Sequence, residues 1–390
     1  MRDGVPRRPS ARDGAWIAVT SVVEHATLVP GDAPSLLARA EEIARGALGD
    51  EFIRRRGDRE WPSDRWPGDA ILLLADDAHE ADAFQTALAM LTALDRADLR
   101  LLPVQRGRVL ARRARALARL GRLDDARDQF RAVGRLGTEA RSVELRARAW
   151  LGLGSIAQMR GNYPGLEVMN QRTLRLARRG GLLWLERYAR LGLMIAAATR
   201  HDFDLALVHA WAVYRASVGP FEEGESLQSF GQLMVEVRCF TEARAAFASV
   251  VSRALPARII VPALGGLAIS AAETGRPATV RWVANQLHAL AAKGVPPYPL
   301  SHALLECSMA LARIGQQAAS ESLLAHAVQM AEEFGFHEVT VRAAEIRRRD
   351  AAPSTNAFIL RGRAVAIAGQ IALLEPGRLP GEVSLNAVPA

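Results

Sequence analysis

A short signature returns at near-constant spacing along this chain, and that recurrence restricts the possible folds more than composition does. Leu120-Gly121-Arg122-Leu123-Asp124-Asp125-Ala126 is followed by Arg160-Gly161-Asn162-Tyr163-Pro164-Gly165-Leu166 and by Arg200-His201-Asp202-Phe203-Asp204-Leu205-Ala206. Val237-Arg238-Cys239-Phe240-Thr241-Glu242-Ala243, Thr274-Gly275-Arg276-Pro277 and Ile314-Gly315-Gln316-Gln317 continue the series. With Gly121, Gly161, His201, Arg238, Gly275 and Gly315 as equivalent pivots, the intervals are 40, 40, 37, 37 and 40. Apolar residues flank each pivot with helical spacing: Trp150, Leu153, Gly154 and Ala157 before one, Leu123, Ala126, Phe130 and Val133 after another, and Phe240, Ala243, Phe247 and Val250 after a third. Each copy therefore reads as helix, tight turn, helix, with glycine supplying the left-handed backbone at the corner. Neither helix can bury its stripe alone, so neighbouring copies must stack.

The order large, Leu, Gly, aliphatic, then Gly, aromatic, small, aromatic, small resembles the tetratricopeptide repeat. Trp150-x2-Leu153-Gly154-x2-Ala157-x3-Gly161-x-Tyr163 matches the first half at the family's own spacing, while Leu166 and Asn170 replace the small residue and the aromatic of the second half. The fourth copy supplies Gly231, Phe240, Ala243 and Phe247 in register; the fifth and sixth carry Pro277 and Gln317 at the aromatic place. The period exceeds the family's usual 34 or so. The resemblance implies an all-α, right-handed α-solenoid of stacked antiparallel helix pairs over residues 104–349, about six units. Residues 1–103 are expected to be an N-terminal helical region of divergent repeats or a cap, with helical stripes at 33–56 and 70–97 around a loop from Arg54 to Gly68. Residues 350–390 are expected to be a partly disordered tail, in which Ala357 to Leu374 forms a hairpin or one more helix.

Several classes of chemistry lack their residues. The single lysine, Lys293, stands in no phosphate loop, and neither HExxH nor GxSxG occurs. Cys239 and Cys307 form no CxxC, which argues against a disulfide framework and for a reducing compartment. Cys307 falls on a buried helical position and reads as a structural thiol. His302 and Glu306 share a helical face at i, i+4, too few ligands for zinc. His201 reads as a turn residue, and Asp76-Asp77 with His79-Glu80 as acids at a helix start. No apolar leader or spanning segment is evident. The expectation is a cytoplasmic, bacterial, non-enzymatic protein with no catalytic residue, cofactor or metal.

Charge is regional. Residues 100–200 hold 22 Arg against 7 acids, net +15, while residues 1–99 hold 12 Arg against 18 acids, net −6. The preference for Arg over Lys, with abundant Ala, also fits a GC-rich genome, and Arg112, Arg113, Arg122 and Arg127 read as a solvated face. The resemblance implies that the first helix of each unit lines a concave groove. Its groove positions fall on Arg108, Arg115 and Arg119, then Arg148, Ser155 and Gln158, then Tyr188, Leu191, Ile195 and Thr199, with Glu225, Gln228, Gln232 and Glu236 further on. The expected role is a protein- or peptide-binding scaffold, adaptor or regulatory sensor, in which arginines grip the carboxylates of an acidic or extended segment. The alternative is a regulator binding nucleic acid through the basic 100–200 region.

Overall fold

A computed structural model describes residues 72–348, except 73–74, 77, 80–81, 83, 97–100, 254 and 293–294. The expected helices at 33–56, the loop from Arg54 to Gly68 and the tail after 349 lie outside the described residues. Those described are helices and short connections, with no strand among them. The helices are α1 (Phe84–Arg96), α2 (Pro103–Arg119), α3 (Leu123–Glu139), α4 (Val143–Met159), α5 (Tyr163–Gly180), α6 (Leu183–Thr199) and α7 (Phe203–Arg215). They continue as α8 (Gly219–Glu236), α9 (Phe240–Val251), α10 (Ala257–Glu273), α11 (Pro277–Ala292), α12 (Pro297–Arg313), α13 (Gln317–Phe334) and α14 (His337–Arg348).

All six pivots are left-handed. Gly121, Gly161, Gly275 and Gly315 have φ between 70° and 79°, and His201 and Arg238 take the same corner at 59° and 62°. The backbone N–H after each pivot bonds back into the preceding helix, as Asn162 N does to Ala157 O at 2.8 Å and Cys239 N to Met234 O at 2.8 Å. The next helix starts at once. Asn162 caps α5 by accepting from Gly165 N at 2.9 Å, and Asp202 caps α7 by accepting from Leu205 N at 3.2 Å. Pro277 and Gln317, irregular as repeat residues, are the first helical residues of α11 and α13; at that position a missing N–H costs nothing.

The chain forms two compact units, residues 1–145 and 146–390, divided inside α4. In the first, α2 packs between α1 and α3. The stripe predicted for α3, Leu123, Ala126, Phe130 and Val133, is buried, and Leu145 lies on Gly107 of α2, 2.4 Å from where a Cβ would stand. In the second, each helix from α5 to α14 packs on its sequence neighbours, and the first helices α6, α8, α10, α12 and α14 also pack each on the next. That pairing defines an all-α solenoid of antiparallel helix hairpins like those of the tetratricopeptide repeat.

Bare glycines let the rows close. Phe247 of α9 is fully buried between Gly231 of α8 and Gly266 of α10, its ring carbons 2.8 and 2.2 Å from the positions a Cβ would take. In the Trp150 unit the same slot, between Gly154 of α4 and Gly192 of α6, holds Asn170. Its amide donates to Leu166 O at 2.8 Å, and its Oδ1 is buried without a hydrogen-bond partner. A polar side chain thus fills the aromatic's place, at a desolvation cost of about 1–3 kcal/mol for the unmet acceptor.

Candidate functional site

In the first unit, the predicted groove arginines lie on α2 and meet acids on neighbouring segments. Arg108 reaches Glu144 at 3.4 Å, and Arg115 reaches Asp76 at 3.2 Å. Asp76 also takes Arg112 through Nε and Nη2, at 2.9 and 2.8 Å. The expected role of Asp76 as an acid at a helix start is therefore corrected: it is itself helical, and its carboxylate binds two arginines of α2. Arg112 and Arg113 are half-buried partners of Asp76 and Asp95 rather than members of a solvated face. Arg119, the last residue of α2, is half-buried.

In the second unit, Arg148, Ser155 and Gln158 stand on α4, and Tyr188, Leu191 and Ile195 on α6. The Arg148 guanidinium lies 4.3 Å above the ring of Trp184, which holds its plane against α6. Ser155 is exposed; Gln158, Tyr188, Leu191 and Ile195 are half-buried. Ile195 packs on the cluster of Ala157, Leu166 and Ala196. These positions on α4 and α6 carry apolar, hydroxyl, amide and guanidinium groups. Two of the acidic-end positions have partners within the unit: Glu225 takes Arg187, and Gln232 takes Glu306.

Two buried polar centres join the first helices of this unit, and sequence reading missed both as centres. Arg187 of α6 is 2% exposed. Its guanidinium donates to Glu225 at 2.8 Å, to Glu222 O at 2.9 Å and to Ser226 Oγ at 3.1 Å, and Nε lies 3.4 Å from Ser217 Oγ. Burial opposes its charge, but Glu225 overcomes that and raises the pKa.

The second centre surrounds Glu338 at the start of α14. Tyr163 donates to Glu338 Oε1 at 2.9 Å, Tyr298 donates to Oε2, and His302 Nε2 lies 3.0 Å from Oε2. Arg342 Nη1 is 3.2 Å from His302 Nδ1, so that nitrogen accepts and Nε2–H is left to donate to Glu338. Burial alone would raise the Glu338 carboxyl; His302, Arg342 and Tyr298 outweigh it and hold it at about 2. Glu306 has the opposite balance. It is 3% exposed, and burial pushes its pKa up despite Arg342, His302 and Gln232. Cys307 beside it is buried, its thiol pushed up to about 12 by burial and then by Glu306, in keeping with a structural thiol.

The pairs share one sequence signal. Arg108 and Glu144, Arg112 and Asp76, His302 and Glu338, and Arg342 and Glu306 are each 36 positions apart; Arg187 and Glu225 are 38 apart, and Tyr298 and Glu338 are 40 apart. Each joins residues about one repeat apart. Opposite charges at one period were readable in the sequence; the contact of Tyr163 with Glu338, separated by 175 positions, was not.

Among the described residues, no group of three or more His, Cys, Asp or Glu side chains is placed to hold a metal ion, and no helix is long and apolar enough to cross a membrane.

Together these features define a helical-repeat protein in which two buried polar centres link first helices. The chain is similar in structure to a Rap protein crystallised with competence and sporulation factor, at 12% identity and a TM-score of 0.49, over 91% of this chain and 98% of that one. It is also similar to a circular tandem repeat protein with novel repeat topology and enhanced subunit contact surfaces, at 15% identity and a TM-score of 0.22, over 92% and 86% of the two chains. No known family profile and no curated protein matches it. The architecture rests on the helix pairing itself.

Proposed function

We propose that the chain is a non-enzymatic scaffold that holds an extended protein or peptide segment against its first helices, with arginines orienting carboxylates of that segment. The observation that carries this reading is the α4–α6 face, where Arg148 is stacked on Trp184 beside half-buried Leu191 and Ile195 and exposed Ser155. Apolar patches supply desolvation, and an oriented guanidinium supplies direction, a combination suited to side chains on an extended backbone.

Arg108 and Arg115 of α2 serve the same ligand class. Their side chains are 41% and 44% exposed in their ion pairs. Such pairs contribute about 0–1 kcal/mol, so a ligand carboxylate can compete for these arginines.

The test is a peptide-display selection on the full chain and on an Arg115→Glu, Arg119→Glu, Arg148→Glu variant whose helicity is checked by circular dichroism. The native chain is expected to enrich peptides carrying Asp or Glu, and the variant to lose them. If both enrich the same sequences, the arginine reading is wrong.

A further inference from the structure

In a stack of helix hairpins each unit touches only its neighbours, so the two ends of the row ordinarily stay apart. In the second unit they meet. The left-handed corner at Gly161, between α4 and α5, rests on the start of α14: the position a Cβ would take at Gly161 is 3.6 Å from Glu338 N and Cα and 3.9 Å from His337 C. Two residues on, Tyr163 donates to Glu338 Oε1 at 2.9 Å. Because α5 packs on α6, and α6, α8, α10, α12 and α14 pack each on the next, this contact closes the row into a loop.

The contact is narrow and one-sided. α5 and α14 do not pack along one another. Glu338 is fixed from its own end of the row, by Tyr298 and His302 of α12 at Oε2, with Arg342 of α14 holding His302. Of these partners Tyr163 alone comes from the other end. The carboxylate is therefore set in place whether or not that hydroxyl arrives. Tyr163 is also tied to the face described above. It packs on the cluster of Ala157 in α4, Leu166 in α5 and Ala196 in α6, on which Ile195 packs too. Gln158 adjoins the corner, its carbonyl accepting from Gly161 N at 2.8 Å.

We propose that the contact of Tyr163 with Glu338 is a releasable clasp: closed, it holds α14 against the end of α4 and restricts access to the α4–α6 face; a segment seated on that face opens it. This rests on the scaffold reading above and adds its regulation. A segment that presses on Ile195 or parts α4 from α6 moves the ring whose hydroxyl holds α14. Such coupling requires the segment to bind one state better than the other, and the favoured state is the open one, in which the end of α4 is uncovered. Loss of one hydrogen bond to a charged group shifts an equilibrium of this kind about tenfold or more.

The test uses the full chain carrying spin labels at Val168→Cys and Val341→Cys, positions that are 48% and 55% exposed. The native Cys239 and Cys307 are buried and stay unlabelled. Pulsed dipolar spectroscopy on the native chain is expected to give one narrow distance. Tyr163→Phe is expected to add a longer, broader one, and Tyr298→Phe, which loses a hydrogen bond to the same carboxylate without parting the two ends, is expected not to. The probe is an acetylated, amidated hexapeptide of alternating leucine and glutamate. It is expected to lengthen the distance in the native chain and to bind Tyr163→Phe about tenfold more tightly than the native chain or Tyr298→Phe. An unchanged distance in Tyr163→Phe, or equal lengthening in Tyr298→Phe, overturns the clasp. Equal affinity of the native chain and an opened Tyr163→Phe overturns its control of the face. Should Tyr163→Phe not fold, the labelled native chain is titrated with the hexapeptide, and an unchanged distance at saturation overturns the proposal. Bound hexapeptide with an unmoved clasp removes the gating and leaves the scaffold; an opened Tyr163→Phe with no hexapeptide bound by any form removes the scaffold reading and the gating with it, and leaves the clasp.

Discussion

Glu338 and Glu306 share neighbours and shift in opposite directions, because the donors around Glu338 outweigh its burial whereas burial outweighs Gln232 and Arg342 at Glu306. Glu338 has two tyrosine hydroxyls and His302, and its carboxyl sits at about 2. A depressed carboxyl adds stability that is present above its unfolded value of 4.5 and is lost as pH falls from there toward 2. Glu306 is raised, so its contribution is present below 4.5 and is lost as pH rises through its folded value. The Glu338→Gln variant is therefore expected to be less stable than the native chain at neutral pH by a few kcal/mol, with the gap closing between pH 4.5 and 2. Urea unfolding across that range measures it; a gap independent of pH would mean that Glu338 acts through packing alone. The sequence displayed His302 and Glu306 at i, i+4 and held Glu338 and Arg342 one period further on; that the four meet in one enclosed cluster was hidden, because stacking makes it. Arg187 was equally hidden: a period-two or period-3.6 pattern reports faces, not which arginine on a face is fully enclosed.

At the scale of the helix pair, the corners were the legible part. Six pivots inferred from spacing all have positive φ, including the two where glycine is absent. A non-glycine residue in that conformation costs about 1–2 kcal/mol, and glycine gives back about 0.4–1 kcal/mol through the freedom of the unfolded chain. The balance favours glycine. His201→Gly and Arg238→Gly are each expected to raise unfolding free energy by about 0.5–1 kcal/mol, measured by chemical denaturation. Loss of stability in both would mean that their side chains contribute more than the strain costs. Second-half irregularities were legible as departures but not in their consequence: Asn170 in the aromatic slot requires Gly154 and Gly192 on either side, and only the packing shows that all three belong together.

Over the whole molecule, stability is local in origin. Each described helix of the second unit is held by its sequence neighbours and the next first helix, so opening free energies should differ along the chain rather than share one value. The slowest amide exchange is expected in α10 and α12, which are rich in buried residues, and faster exchange in α3 and α11. Native-state hydrogen exchange with mass spectrometry resolves this; a single protection level throughout would indicate one cooperative block. The architecture could be read from the sequence because its unit repeats. The polar face could be only partly read, because Arg148 and Trp184 lie on different helices and meet only when those helices pack.

The cross-period ion pairs bear on which length changes the chain can tolerate. One extra residue inside α12 would turn everything beyond it by about 100° about the helix axis, so that Tyr298 and His302, upstream of the change, could no longer both face Glu338. A whole added hairpin would leave that phase intact. Natural length variation in such chains should therefore come in complete modules or at the corners, and an indel scan through the helices should find the interiors intolerant of single residues.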